Sequence, residues 1–219
     1  MNYTWKWREI FKQVLVLLLV LGLGFASAAC SVLPQKEPVE VYILSPGNTE
    51  PQFSAVTSAI LKIPQPNASG LLDSANIIVM PQSHRLSVYK GARWNDALPR
   101  MLQDYLIRDF RTVTAFEAVV NNDTGVTSDY QLVTDIRAFQ SSYLDTGSNR
   151  DNPVIEVEID AQLIDTQTST IVSQRRFSMT EPSSGTHIDT VVEAFNRAAG
   201  RLSNAMLEWT VRSIKQQEQ

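Results

Sequence analysis

Few residues in this 219-residue chain are equipped for catalysis: two histidines, His84 and His187, and one cysteine, Cys30. His84 falls in a turn-like "PQSH" and His187 at the start of a helical pattern, and neither has metal-ligand spacing. No G-x-S-x-G nucleophile elbow and no glycine-rich phosphate loop occurs. Glu156, Glu158 and Asp160 could in principle pair as carboxylates for acid–base work. Strict alternation with apolar residues instead marks them as the solvated face of a half-buried strand. A hydrolase would need His84 or His187 within hydrogen-bond reach of a serine and a carboxylate. The sequence therefore predicts no enzyme, no metal site and no cofactor. The pair Arg93-Trp94, four residues after Tyr89, has a different chemistry: it is either a corner anchor or part of a partner interface, where Trp, Tyr and Arg are enriched.

Cys30 is placed by what precedes it. "MNYTWKWREIFKQ" carries Lys6, Arg8 and Lys12 against Glu9, and the chain then runs apolar from Val14 to Ala26 before "SAAC". A charged start, a short apolar run and small residues form the layout of a secretory signal. The run of 13 is shorter than the roughly 18 to 20 residues a membrane-spanning helix needs. A cysteine directly after Ala-Ala resembles a lipobox, with Ser27 standing where an aliphatic residue is usual. The alternative is ordinary cleavage after Ala26 to Ala28, which leaves an unpaired thiol near the mature end. Fatty acylation of Cys30, of the palmitate type, is the favoured reading because an idle thiol is a liability in an oxidising compartment. Ser31 rather than Asp after the Cys resembles the sorting signal for the outer membrane.

Residues 1–29 are thus expected to be a lipoprotein-type signal peptide, residues 30–39 the acylated Cys and a tether, and residues 40–215 a single domain. Removing 1–29 leaves 16 Lys and Arg against 22 Asp and Glu, a formal charge of -6. An acidic chain without a basic cluster is a poor nucleic-acid binder, so no nucleic-acid partner is expected. The same charge gives little reason to expect electrostatic docking on anionic lipid.

Patterning predicts the scaffold. "VEVYILS" and "TSAILKI" read as strands, and "NIIVM" with "RLSVY" as a hairpin across "PQSH". Leu98, Met101, Leu102, Tyr105, Leu106 and Phe110 recur at helical spacing. Asp96 is the expected N-cap, because it puts Pro99 at the third helical position where its missing N–H is harmless. Tyr130, Leu132, Ile136 and Ala138 share a two-residue period, as do Ile155, Val157, Ile159, Ala161 and Leu163. "DTQT" turns the chain so that Arg175 or Arg176 meets the acidic row. Thr186 and Asp189 form a capping-box-like T-x-x-D before a helix from about 187 to 213, about 40 Å long. The expected class is α+β: a largely antiparallel or mixed sheet with two main helices packed on one face. In that frame Trp94 covers the strand-to-helix corner, while Arg93 stacks on an aromatic ring or pairs with a carboxylate.

"YILS" after the lipobox-like Cys, "LKIPQPNASGLLDSANIIVM" and above all "LSVYKGARWNDALPRMLQDYL" resemble the ABC-type transport auxiliary lipoprotein family. That family includes the lipoprotein component of the paraquat-inducible envelope system. The resemblance covers about residues 40 to 215, and Tyr89, Arg93 and Trp94 belong to its most specific run. It implies a non-enzymatic lipoprotein at the periplasmic face of a Gram-negative outer membrane. Implied partners are a mammalian-cell-entry (MCE) domain protein and its inner-membrane ABC transporter for lipids or other hydrophobic molecules, with homo-oligomerisation. A free-standing periplasmic ligand carrier, which would need a closed apolar pocket, is the alternative.

Overall fold

Alternation is strictest in Val154–Asp165, where odd positions from Ile155 to Leu163 are buried and even ones half-buried, so this strand must lie between a core and an open face. The computed structural model describes residues 12–15, 38–45, 57–143 and 152–218. Eight strands form one mixed sheet: β1 Glu40–Tyr42, β2 Ile60–Lys62, β3 Asn76–Gln82, β4 Arg85–Trp94, β5 Ala118–Val120, β6 Tyr130–Ser142, β7 Val154–Asp165 and β8 Thr170–Pro182. Helix α1 is Leu98–Arg111 and helix α2 is Ile188–Gln217. The class is α+β, with both helices on one face against a shared core.

β6 organises the sheet. One edge pairs along its length with β7, which pairs in turn with β8, giving an antiparallel meander. Its other edge is divided: β2 runs parallel to its start at Tyr130 and Gln131, and β3 parallel to its end at Gln140 to Ser142. β4 pairs with β3 as the predicted hairpin, and β1 adds to β4 in parallel.

Three expectations are corrected by local chemistry. The two-residue period of β6 does not run through Ala138. A bulge between Ile136 and Ala138 brings Ala138 opposite Glu158, and Phe139 becomes the buried residue; one extra residue exchanges the faces of a strand. The N-cap of α1 is Ala97 rather than Asp96. Asp96 instead accepts from the Ala97 N–H at 2.7 Å, and the Leu98 N–H donates to the Ser74 carbonyl at 3.0 Å. Backbone from the preceding loop thus satisfies a donor that a cap would have taken. The T-x-x-D box does not form either: His187 is the N-cap of α2 without a side-chain cap bond, and Asp189 is engaged by the Tyr42 hydroxyl at 2.8 Å.

Residues 39–219 form one compact unit and residues 1–38 another. In the latter, residues 12–15 are helical. No helix among the described residues is long and apolar enough to cross a membrane. Cys30, Ser27 and Ser31 lie outside the described residues.

Candidate functional site

The corner singled out in the sequence contains two residues with opposite fates. Strand alternation sends Ala92 and Trp94 inward and leaves Arg93 exposed between them. Trp94 is 1% exposed, and its ring edge meets Phe195 of α2 at 5.4 Å and Phe139 of β6 at 6.0 Å. Phe139 and Phe195 stack on each other at 4.9 Å. Three rings from three elements therefore close the core beneath the corner, and Trp94 is its anchor. Tyr89 also turns inward, where its hydroxyl shares a 2.9 Å hydrogen bond with Ser141. Burial holds the Tyr89 phenol above its ordinary pKa.

Arg93 neither stacks on a ring nor pairs with a carboxylate among the described residues. Its Nη1 donates to the Trp94 carbonyl at 3.2 Å. The register places Arg93 beside Val41 of β1 and opposite Asn76 of β3, so its side chain stands on the face away from the helices. Gly91, at φ 73°, supplies the turn that a side chain would resist within this irregular strand pair.

The acidic row occupies the same open face. Arg176, not Arg175, meets it: its Nε donates to Asp160 at 2.6 Å, and its Nη1 lies 3.3 Å from Glu158. Arg137, displaced by the β6 bulge, reaches Asp160 from the other side at 2.7 Å. Hydrogen bonds from Arg176 first and Arg137 second hold the Asp160 carboxyl down to about 2. Arg175 lies on the helix side, 5.0 Å above the Phe177 ring. A polar groove of about 390 Å³ runs along this network, lined by Asp135, Arg137, Asp160, Gln162, Gln174 and Arg176. A carboxylate held between two guanidinium groups stays ionised near neutrality and has no proton to donate as a general acid.

The histidines lie apart from this face. His84 sits in the β3–β4 turn with φ 62°. His187 Nδ1 lies 3.1 Å from Asp189, and both side chains are well exposed. The described hydrogen bonds bring no serine to either imidazole. Among the described residues no three His, Cys, Asp or Glu side chains cluster as metal ligands. A second cleft, of about 290 Å³, is lined by Ser58, Asp129, Tyr130, Asp165, Gln167 and Glu218. Polar side chains again dominate, unlike the apolar lining of a lipid pocket.

Sequence reasoning missed the fastening of β1. Tyr42 donates to Glu40 or Asp189, with oxygens at 2.7 and 2.8 Å. The Ser45 N–H donates to Asn196 at 3.0 Å, and Arg108 Nη2 to the Leu44 carbonyl at 3.1 Å. The first strand is thereby bonded to both helices through partners 64 to 151 residues away, a separation no local pattern reveals.

Comparison with known proteins gives these features a context. Residues 42–207 match the family model described as the ABC-type transport auxiliary lipoprotein component. The crystal structure of protein XCC0632 from Xanthomonas campestris superimposes with a TM-score of 0.75 at 28% identity, over 82% of this chain and 99% of that one. A crystal structure of an uncharacterized protein shares the fold at a TM-score of 0.59 and 14% identity, over 78% of this chain and 98% of that one. The uncharacterized protein bll6063 of Bradyrhizobium diazoefficiens is 26% identical over 170 residues, 78% of this chain. The match spans only 44% of that relative's length.

Proposed function

The chain belongs to the ABC-type transport auxiliary lipoprotein component family, and from that premise we propose that it is the outer-membrane lipoprotein of an MCE-type envelope transport system for lipids or other hydrophobic molecules. The family is one of transport auxiliaries and not of enzymes. In the proposal, residues 1–29 are removed as a signal, Cys30 is acylated, residues 30–39 tether, and the domain of residues 40–215 faces the periplasm. It works as a homo-oligomeric collar that receives the periplasmic conduit of an MCE-domain protein, itself served by an inner-membrane ABC transporter. The observation that carries this reading is the family match across residues 42–207, nearly the whole of the proposed domain. Of the Tyr89, Arg93, Trp94 run, Trp94 and Tyr89 are already used inside the core, which leaves Arg93 as the member free for contacts outside the chain.

The test is to express the tagged full-length protein and its Cys30→Ala variant in a Gram-negative host, fractionate the envelope and identify what co-purifies from mild detergent. Wild type in the outer membrane with an MCE-domain partner, and the variant lost from that fraction, is the expected result. Recovery of both forms as partnerless periplasmic monomers overturns the proposal and favours a free-standing ligand-binding lipoprotein.

A further inference from the structure

Whole-chain charge hides a local reversal. The stretch Asn76 to Trp94, which holds the β3–β4 hairpin, contains Arg85, Lys90 and Arg93 and no Asp or Glu. All three cations are exposed. Beside it lies β1, whose flanking and central apolar residues are turned to solvent: Val39 is 53%, Val41 50% and Ile43 56% exposed. Alternation explains why these three share a side, while Tyr42 and Leu44 turn the other way, Leu44 into the core. Val41 stands next to Arg93 in register. Leu86, at 48% exposed, continues the apolar surface on the hairpin itself. Glu40, the carboxylate of β1, is drawn to the Tyr42 hydroxyl on the other side of the strand.

Apolar side chains set beside cations, with Glu40 turned to the other face and the acidic row of β7 three strands away from β4, have the composition of an edge that rests on an anionic bilayer: the apolar groups leave water while the cations meet headgroup phosphates. The chain's own layout points to the same occupant. Val39 follows Cys30 by nine residues, and at about 3.3 to 3.6 Å per residue a fully extended tether cannot take β1 more than about 32 Å from an acylated Cys30.

We propose that Val39, Val41 and Ile43, with Leu86, Lys90 and Arg93, form a membrane-docking surface that lies on the phospholipid bilayer to which the chain is anchored. The inference rests on the lipoprotein reading above and adds which surface of the domain meets lipid. Contact is interfacial. The Tyr42 carbonyl accepts from the Asn95 N–H within the sheet, so the backbone groups of Val41 and Ile43 point outward and would be left unpaired in hydrocarbon.

The experiment uses the full chain purified from host membranes and reconstituted in vesicles of phosphatidylethanolamine and phosphatidylglycerol, with or without brominated acyl chains. A fluorophore is attached at Val41→Cys or Leu86→Cys, and at Ile171→Cys, an equally exposed site on β8, as reference. Expected is loss of fluorescence to brominated lipid at Val41 and Leu86 but not at Ile171, with the loss reduced by Lys90→Glu/Arg93→Glu. Equal quenching at all three sites, or none at Val41, overturns the proposal. A Val41 label shielded from both brominated lipid and aqueous iodide also overturns it, and assigns the strand to a protein partner or a second copy. Label uptake by wild type reports on Cys30 separately. A reactive Cys30 with Val41 still quenched sinks the acyl anchor alone, whereas a blocked Cys30 with Val41 unquenched sinks the docking surface alone.

Discussion

The two faces of the sheet use neighbouring residues for opposite purposes. On the helix side Trp94, Phe139 and Phe195 interlock, and Ile155, Val157, Ile159 and Leu163 are almost inaccessible beneath α2. On the other side Arg137, Asp160 and Arg176 stand in partial contact with solvent, joined by ion pairs rather than packing, and Arg93 is exposed with a hydrogen bond to the Trp94 carbonyl. Burial of apolar surface is worth far more than an exposed ion pair. Stability therefore resides on the covered face, and the open face can change its chemistry at little cost to the fold.

Adjacent substitutions give the sharpest contrast. Trp94→Ala removes the ring that two phenylalanines pack against and is expected to cost about 3 to 5 kcal/mol in urea unfolding. Arg93→Ala should stay within about 0.5 kcal/mol. Equal losses at both positions would break the distinction between the faces.

A smaller effect is expected at the joint between the helices. Asp109 of α1 is buried and accepts a hydrogen bond from the Ser203 hydroxyl of α2. Ser203→Ala leaves that carboxylate short of a donor, at a cost of about 1 to 3 kcal/mol by the same assay. Adding Asp109→Ala should destabilise by less than the sum of the two single changes, since they share one interaction.

The smallest effect belongs to the open face and depends on pH. Asp160 is held at about 2, below its ordinary value near 4. A depressed carboxylate favours the folded state above its unfolded pKa and loses that contribution as pH falls through the folded one. Thermal scans of wild type and Asp160→Asn should differ slightly at neutral pH and converge between about pH 4 and 2. A gap that widens on acidification would contradict the pairing with Arg176 and Arg137.

Much of this architecture was legible because it is written in periods. The acidic row on β7, the β7–β8 hairpin, the β3–β4 hairpin and both long helices follow from alternation and helical spacing, with α2 running four residues past its expected end near 213. What escaped was set by single residues or by distant partners. The β6 bulge moves the inward position from Ala138 to Phe139, and an inserted residue has no periodic signature. The caps expected from Asp96 and from Thr186 with Asp189 gave way to bonds from Ser74 and Tyr42, which lie nearby only once the chain has folded. At the candidate corner, the sequence left Trp94 open between a core anchor and a partner contact, and the folded chain buries it among rings. Arg93 was harder to read, because whether a guanidinium finds a carboxylate depends on which strand lies beside it. The neighbour is β1, which offers Val41.

The proposal that Cys30 holds this fold at a membrane meets its sharpest test at the mature N-terminus. Intact-mass and peptide analysis of the protein from the envelope fraction should find a chain beginning at Cys30 and carrying acyl groups. A chain beginning at Ala29, with Cys30 unmodified, would contradict it.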